Sequence, residues 1–188
     1  MKKTVLTFGL ISGAILSAMM LLTVPFQDEI GFDRGEIIGY TTMVLAGLLI
    51  FFGIRSYRDN IAGGTVGFGR AFKVGALIAV VSSVCYVATW EVIYFGNLSP
   101  NFIAKYQEHT LEQARADGET EAQIAKRKAD MEKFAKLYRN PVINVAVTFL
   151  EPLPVALIMT LVSAGVLSRR RKDGEEEAKA ASGARVTT

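Results

Sequence analysis

Four long apolar blocks dominate this chain, at 4–25, 37–54, 74–95 and 142–167. A hydrocarbon core of about 30 Å is crossed by roughly 20 apolar helical residues, and each block meets or approaches that length. With 51% hydrophobic residues in a chain of 188, a soluble domain would have to bury all four blocks and would have almost nothing to cover them. Lipid offers no partner to a free backbone N–H or C=O, so spans of this kind are helical. The fold class expected is all-α: a polytopic membrane protein with four transmembrane helices and the lipid bilayer as its first partner.

The opening "MKKTVLTFGLISGAILSAMMLLTVP" has bases before an apolar stretch, as a signal peptide does. Signal h-regions are shorter, about 7–15 residues, and end in a small-residue cleavage site. Here the apolar run continues through Leu22 with no convincing site, which predicts a retained first helix. Bases flank the blocks: Lys2 and Lys3 before the first, Arg55 and Arg58 after the second, Arg70 and Lys73 before the third, and Arg169 to Lys172 after the fourth. The first loop, "FQDEIGFDRGE", sets four carboxylates against Arg34. By the positive-inside rule both termini and the loop between spans 2 and 3 are expected in the cytoplasm. Lys136 and Arg139 count against this, but they lie in a longer segment. The net charge of +3 is thus a topology signal, and no nucleic-acid partner is expected.

Cys85 is the one cysteine and His109 the one histidine. No intrachain disulfide is possible, and no His/Cys metal cluster or nucleophile–base pair with histidine is expected. The reading is therefore of no enzyme, no catalytic residue, no cofactor and no metal. "GGTVGFGRAF" has the glycines of a phosphate loop but neither a Walker spacing nor a βαβ setting. It reads as a turn and an interfacial segment, with Phe68 and Phe72 toward lipid and Arg70 and Lys73 toward head groups. The tail 173–188, polar and rich in small residues, is expected to be disordered and cytoplasmic, leaving 1–172 as the membrane domain.

The long connection 96–140 is expected outside the cytoplasm as a helical hairpin. Ser99 is a candidate N-cap with Pro100 in the first turn. Asp117-Gly118 breaks the pattern, and Thr120 with Gln123 matches a capping box. The spacing predicts helices at about 100–116 and 120–139, packed along Ile103, Tyr106, Ile124, Met131 and Phe134. His109 is given no role. Small residues at four-residue spacing allow close approach between spans: Gly9, Gly13 and Ser17; Gly35 and Gly39; Gly75, Ala79 and Ser83; Ala156, Thr160 and Ala164. Trp90, Tyr94 and Phe95 fit an aromatic belt.

The anomaly is "TFLEPLPVALIM", which places Glu151, Pro152 and Pro154 inside the fourth block. Glu151 lies ten residues beyond Pro141, about 15 Å deep at 1.5 Å per residue. An ionised acid costs about 2.5–3.5 kcal/mol at that depth, so a neutral carboxyl facing the bundle is expected. The prolines cannot donate to the carbonyls of Thr148 and Leu150, so a kink with two free acceptors is predicted. Tyr86 and Ser17 lie at similar depth, and Glu91 is a shallower second carboxylate. Glu151, Glu91, Tyr86 and Ser17 form the candidate intramembrane polar site, either as internal hydrogen-bonding glue or as a small-ligand, ion or proton site.

"FGRAFKVG" before span 3, the long helical insert and "FLEPLPVALIMTLVSAGVLSRR" in span 4 together resemble the bacterial domain-of-unknown-function 4199 family, from Thr4 to about Arg170. The resemblance implies a polytopic inner-membrane protein and brings no activity, substrate or catalytic residue. Two functional classes are expected to compete. One is an interaction or assembly protein, binding copies of itself as a homo-oligomer or other membrane proteins. The other is a small carrier or ion-linked protein using the intramembrane carboxylates.

Overall fold

The computed structural model describes residues 1–168; the basic cluster at 169–172 and the tail 173–188 lie outside the described residues. Every element among the described residues is helical. Helix α1 spans Lys2–Thr23; a 3-10 turn and the short α2 (Gln27–Ile30) lead into α3 (Phe32–Asn60). Then come α4 (Phe68–Phe95), α5 (Phe102–Ala116), α6 (Glu121–Tyr138), α7 (Pro141–Leu150) and α8 (Leu153–Leu167). Among the described residues, four segments are long and apolar enough to cross a membrane: Lys2–Ile30, Phe32–Asn60, Phe68–Phe95 and Pro141–Leu167. The chain is a multi-pass membrane protein.

Local chemistry sets the boundaries. Gly31, at φ 83, turns the chain between α2 and α3 in a conformation that costs glycine little. At α6 the capping box forms in both directions: the Gln123 N–H reaches Thr120 Oγ1, and Gln123 Oε1 accepts from the Thr120 N–H at 2.8 Å. Asn140 caps α7 by accepting from the Val142 N–H at 2.9 Å, with Pro141 in the first turn. At α5 the sequence expectation fails. The helix starts at Phe102 with Asn101 as N-cap, and the Ser99 hydroxyl donates instead to the Val24 carbonyl at 3.3 Å. A tertiary bond to the first loop displaces the local cap. The fourth span is interrupted at Glu151–Pro152, giving two helices, α7 and α8.

Close approach holds the bundle. An ideal Cβ on Gly9 would stand 2.7 Å from Val81 Cβ, and one on Gly13 would stand 2.6 Å from Cys85 Cβ; α1 and α4 therefore pack backbone against side chain. Gly75 meets Ile54 and Thr160 in the same way. Gly35 and Gly39 do not. Gly39 has nothing within 4 Å, and Gly35 faces the Gln27 side chain. The packing glycines of α3 are Gly47, against Met159, and Gly53, against Phe8 and Ile78, because the rotation of α3 about its axis turns these two inward.

Two apolar clusters divide the interior. Ile50, Ile54, Val74, Ile78 and Ala164 close the end of the bundle away from the α5–α6 hairpin. Leu16, Met20, Met43, Tyr86, Trp90 and Tyr138 form the hairpin end. Here the helices part: α8 packs on both α3 and α4, whereas α7 packs on α4 and α6. Above the proline break, α3 and α7 diverge.

Candidate functional site

That divergence opens a chamber of about 1070 Å³ between the membrane helices and the hairpin. Leu16, Met20 and Met43 form its deep apolar wall, with Tyr86, Trp90 and Glu151 facing them. Higher up it runs beneath the hairpin, past Tyr106, Met131 and Phe134, to Glu36, Lys126 and Asp130. The expected hairpin packing is thus corrected. Ile124 is buried with Ala114 near the tip, but Tyr106 and Phe134 are exposed, because toward the membrane they line a space rather than each other.

The hairpin is fastened to the first loop. Lys105 Nζ pairs with Asp28 at 2.5 Å, Gln113 Nε2 donates to Asp33 at 2.8 Å, and His109 Nε2 lies 3.0 Å from the same Asp33 oxygen. The Phe32 ring stacks on His109 with centroids 5.2 Å apart. His109, given no role by sequence, is therefore part of the joint over the chamber mouth. Within the hairpin Gln107 donates to the Met131 carbonyl at 2.9 Å, and Arg127 pairs with Glu119.

Of the sequence candidates, two meet. The Tyr86 hydroxyl donates to Glu151 Oε2 at 2.8 Å, and both residues line the chamber. Glu151 is exposed and is one of the residues lining the chamber. Its partner is Tyr86 and not the carbonyls of Thr148 or Leu150. Ser17 lies elsewhere, in the seam between α1 and α4, with its Oγ 2.8 Å from Thr89 Oγ1 and 3.4 Å from the Cys85 carbonyl. Glu91 is half-buried and, among the described residues, has one buried oxygen without a hydrogen bond and is not part of the chamber wall. The two carboxyls do not share a pocket. Pro152 and Pro154 mark the helix break directly after Glu151.

Several lining or supporting residues carried no clear signal in sequence. Trp90 is buried, not in a lipid-facing belt. Its ring meets Phe102 edge-on at 5.4 Å and stacks with Tyr94 at 6.0 Å. The aromatic wall continues through Tyr138, edge-on to Tyr94 at 5.5 Å and stacked on Phe134 at 5.4 Å. Burial pushes the Tyr138 hydroxyl up to about 12; like an ordinary tyrosine, it is protonated at neutral pH. It lies 2.9 Å from Thr148 Oγ1, which in turn donates to Asn144 Oδ1 at 3.3 Å, while Asn144 Nδ2 donates to the Tyr138 carbonyl at 3.2 Å. This closed ring of hydrogen bonds fixes α6 to α7. Its trace in the sequence is faint: Asn144 and Thr148, four residues apart inside an apolar block.

The fold and site define a four-span helical membrane protein with an amphipathic chamber roofed by a helical hairpin. The family model described as "Protein of unknown function (DUF4199)" matches residues 7–169, and the chain belongs to that family. No curated protein and no solved structure matches it.

Proposed function

We propose that this protein is a ligand-binding protein of the bacterial inner membrane, with the hairpin and chamber mouth outside the cytoplasm and both termini inside. The observation that carries this reading is the position of Glu151. A carboxyl at the depth of the proline break, held by Tyr86, opens onto a chamber of about 1070 Å³. Pockets that hold organic ligands are concave, mostly apolar and furnished with a few placed polar groups, typically at about 300–1,000 Å³. A carboxyl serving only as glue between helices gains from close packing on every side, and Glu151 lacks it on the chamber side. The role is one of binding and, where cargo is released, of carriage, not catalysis. Four spans are few for a carrier acting alone, so transport would require an oligomer.

The assembly reading has one observation in its favour. Leu137 and Val142 are 56% and 77% exposed where α6 meets α7, an apolar surface that a second membrane protein would cover. Lipid and head groups cover such a surface equally well, so the chamber is weighted above it.

Native mass spectrometry of the full chain, purified from its own membranes in mild detergent, tests the choice. A small-molecule adduct is expected, and it should diminish when Met43→Trp and Val147→Trp fill the chamber. Adduct-free protein bound stoichiometrically to a second polypeptide would reverse the weighting.

A further inference from the structure

The charges around the chamber are unevenly placed. At its deep end, among the described residues, Glu151 is the only Asp, Glu, Lys, Arg or His in the lining, beside Leu16, Met20, Met43, Tyr86, Trp90 and Val147. The lining bases, His109, Lys126 and Arg127, all belong to the hairpin, where His109 is held by Asp33 and Arg127 by Glu119. Among the described residues no lysine, arginine or histidine forms an ion pair with Glu151. A carboxylate has about four acceptor positions, and one donor, Tyr86, is found for it. The rings of Trp90 and Tyr138 also line the chamber, and aromatic rings attract cations.

From this geometry we infer that the chamber takes an organic cation with an apolar body, its charge set against Glu151 and its body against the Trp90–Tyr138 wall. The inference rests on the chamber being a binding site, as proposed above. Three alternatives fit the lining less well. A hard metal cation needs about six to eight oxygen ligands for calcium or a near-ideal octahedron for magnesium, and one carboxyl with one phenol falls short of either. Among the described residues no group of three or more His, Cys, Asp or Glu is placed to hold a metal ion. An anion would meet Glu151 without a base to offset it. A neutral ligand can donate a hydrogen bond to the carboxyl's free acceptors but would leave an ionised Glu151 without a countercharge. The hairpin side of the chamber is closer to balance, with Glu36 and Lys126 both in the lining and Asp130 3.7 Å from Lys133 Nζ, so the discrimination rests on Glu151.

Two ions of nearly the same shape and opposite charge, tetraphenylphosphonium and tetraphenylborate, separate these cases. Trp90 is the only tryptophan in the chain and lies on the chamber wall, so its fluorescence reports occupancy in the full-length protein at fixed detergent concentration. The phosphonium should bind at least about tenfold more tightly relative to the borate in the wild type than in Glu151→Gln. Val147→Lys, which brings a base one turn from Glu151 along the same wall, should abolish the preference independently, so the inference does not hang on one variant folding. Both ions binding with a ratio that neither substitution changes would overturn the cation assignment while leaving a binding chamber in place. Neither ion disturbing Trp90 would overturn the chamber reading together with it.

Discussion

The Tyr86 hydroxyl and the Glu151 carboxyl, 65 residues apart in the chain, meet at 2.8 Å and join the third membrane span to the fourth at its proline break. Hydrogen bonds between spans contribute on average about 0.6 kcal/mol, with a maximum of about 1.7. Tyr86→Phe should therefore lower stability by about 1 kcal/mol, since the carboxyl also loses its donor. Glu151→Gln keeps an acceptor for Tyr86 and should be nearly neutral. Glu151→Leu should resemble Tyr86→Phe. Thermal unfolding of the three variants in one detergent checks the order. Equal losses for Gln and Leu would mean that the carboxyl contributes something other than this bond.

The seam between α1 and α4 predicts a sharper contrast. A Cβ at Gly13 would stand 2.6 Å from Cys85 Cβ, whereas one at Gly39 meets nothing within 4 Å. Gly13→Val should push the helices apart and cost about 1–3 kcal/mol, the range for overpacking. Gly39→Ala should be neutral or stabilising by up to about 1 kcal/mol through helix propensity. Melting temperatures that fell equally would show that the small residues of α1 are not at a close contact.

These two glycines also mark what the sequence could and could not reveal. Four spans were legible because lipid imposes a length and a composition on each. The capping box at Thr120 was legible because both partners lie within four residues. Small residues at four-residue spacing marked Gly35 and Gly39 on α3, yet the packing falls on Gly47 and Gly53, since helix rotation depends on neighbours that the spacing does not encode. Ser99 satisfied a cap pattern but bonds Val24, 75 residues away. The depth of Glu151 followed from counting residues, and depth pointed to Tyr86 and Ser17 alike; only the packing of α4 against α7 distinguishes them. The chamber had no sequence signature, because it arises where α3 and α7 fail to meet.

Hairpin stability should divide along its length. Ile124 is 5% exposed near the tip, whereas Phe134 is 47% exposed along the chamber. Ile124→Asp places a charge in an apolar contact and should make the hairpin markedly more sensitive to protease around Gly118, with the spans still inserted. Phe134→Asp should have a much smaller effect. Asp33→Ala, which releases both His109 and Gln113, should act weakly, since exposed polar contacts, even between full charges, are worth about 0–1 kcal/mol. Equal proteolysis of the Ile124 and Phe134 variants would show that the hairpin closes along its whole length.

The side of the membrane on which the hairpin lies is a separate prediction, and it rests on charge alone. Arg55 and Arg58 end α3, and Arg70 and Lys73 begin α4, so the turn at 61–67 has bases on both flanks. The first loop, whose Asp28 and Asp33 engage Lys105 and His109 of α5, is acidic. Basic flanks remain in the cytoplasm during insertion, which puts the turn at Gly63 inside and the hairpin outside. The acids of the first loop find partners on the hairpin, so in this orientation its charge would serve both topology and docking. In a Cys85→Ala background, Lys128→Cys on α6 and Gly63→Cys in the turn give two single labelling sites, both exposed. An impermeant thiol reagent added to intact cells should modify the cysteine at 128 and spare the one at 63, and permeabilisation should make both react. Modification of 63 alone would invert the orientation and place the chamber mouth in the cytoplasm.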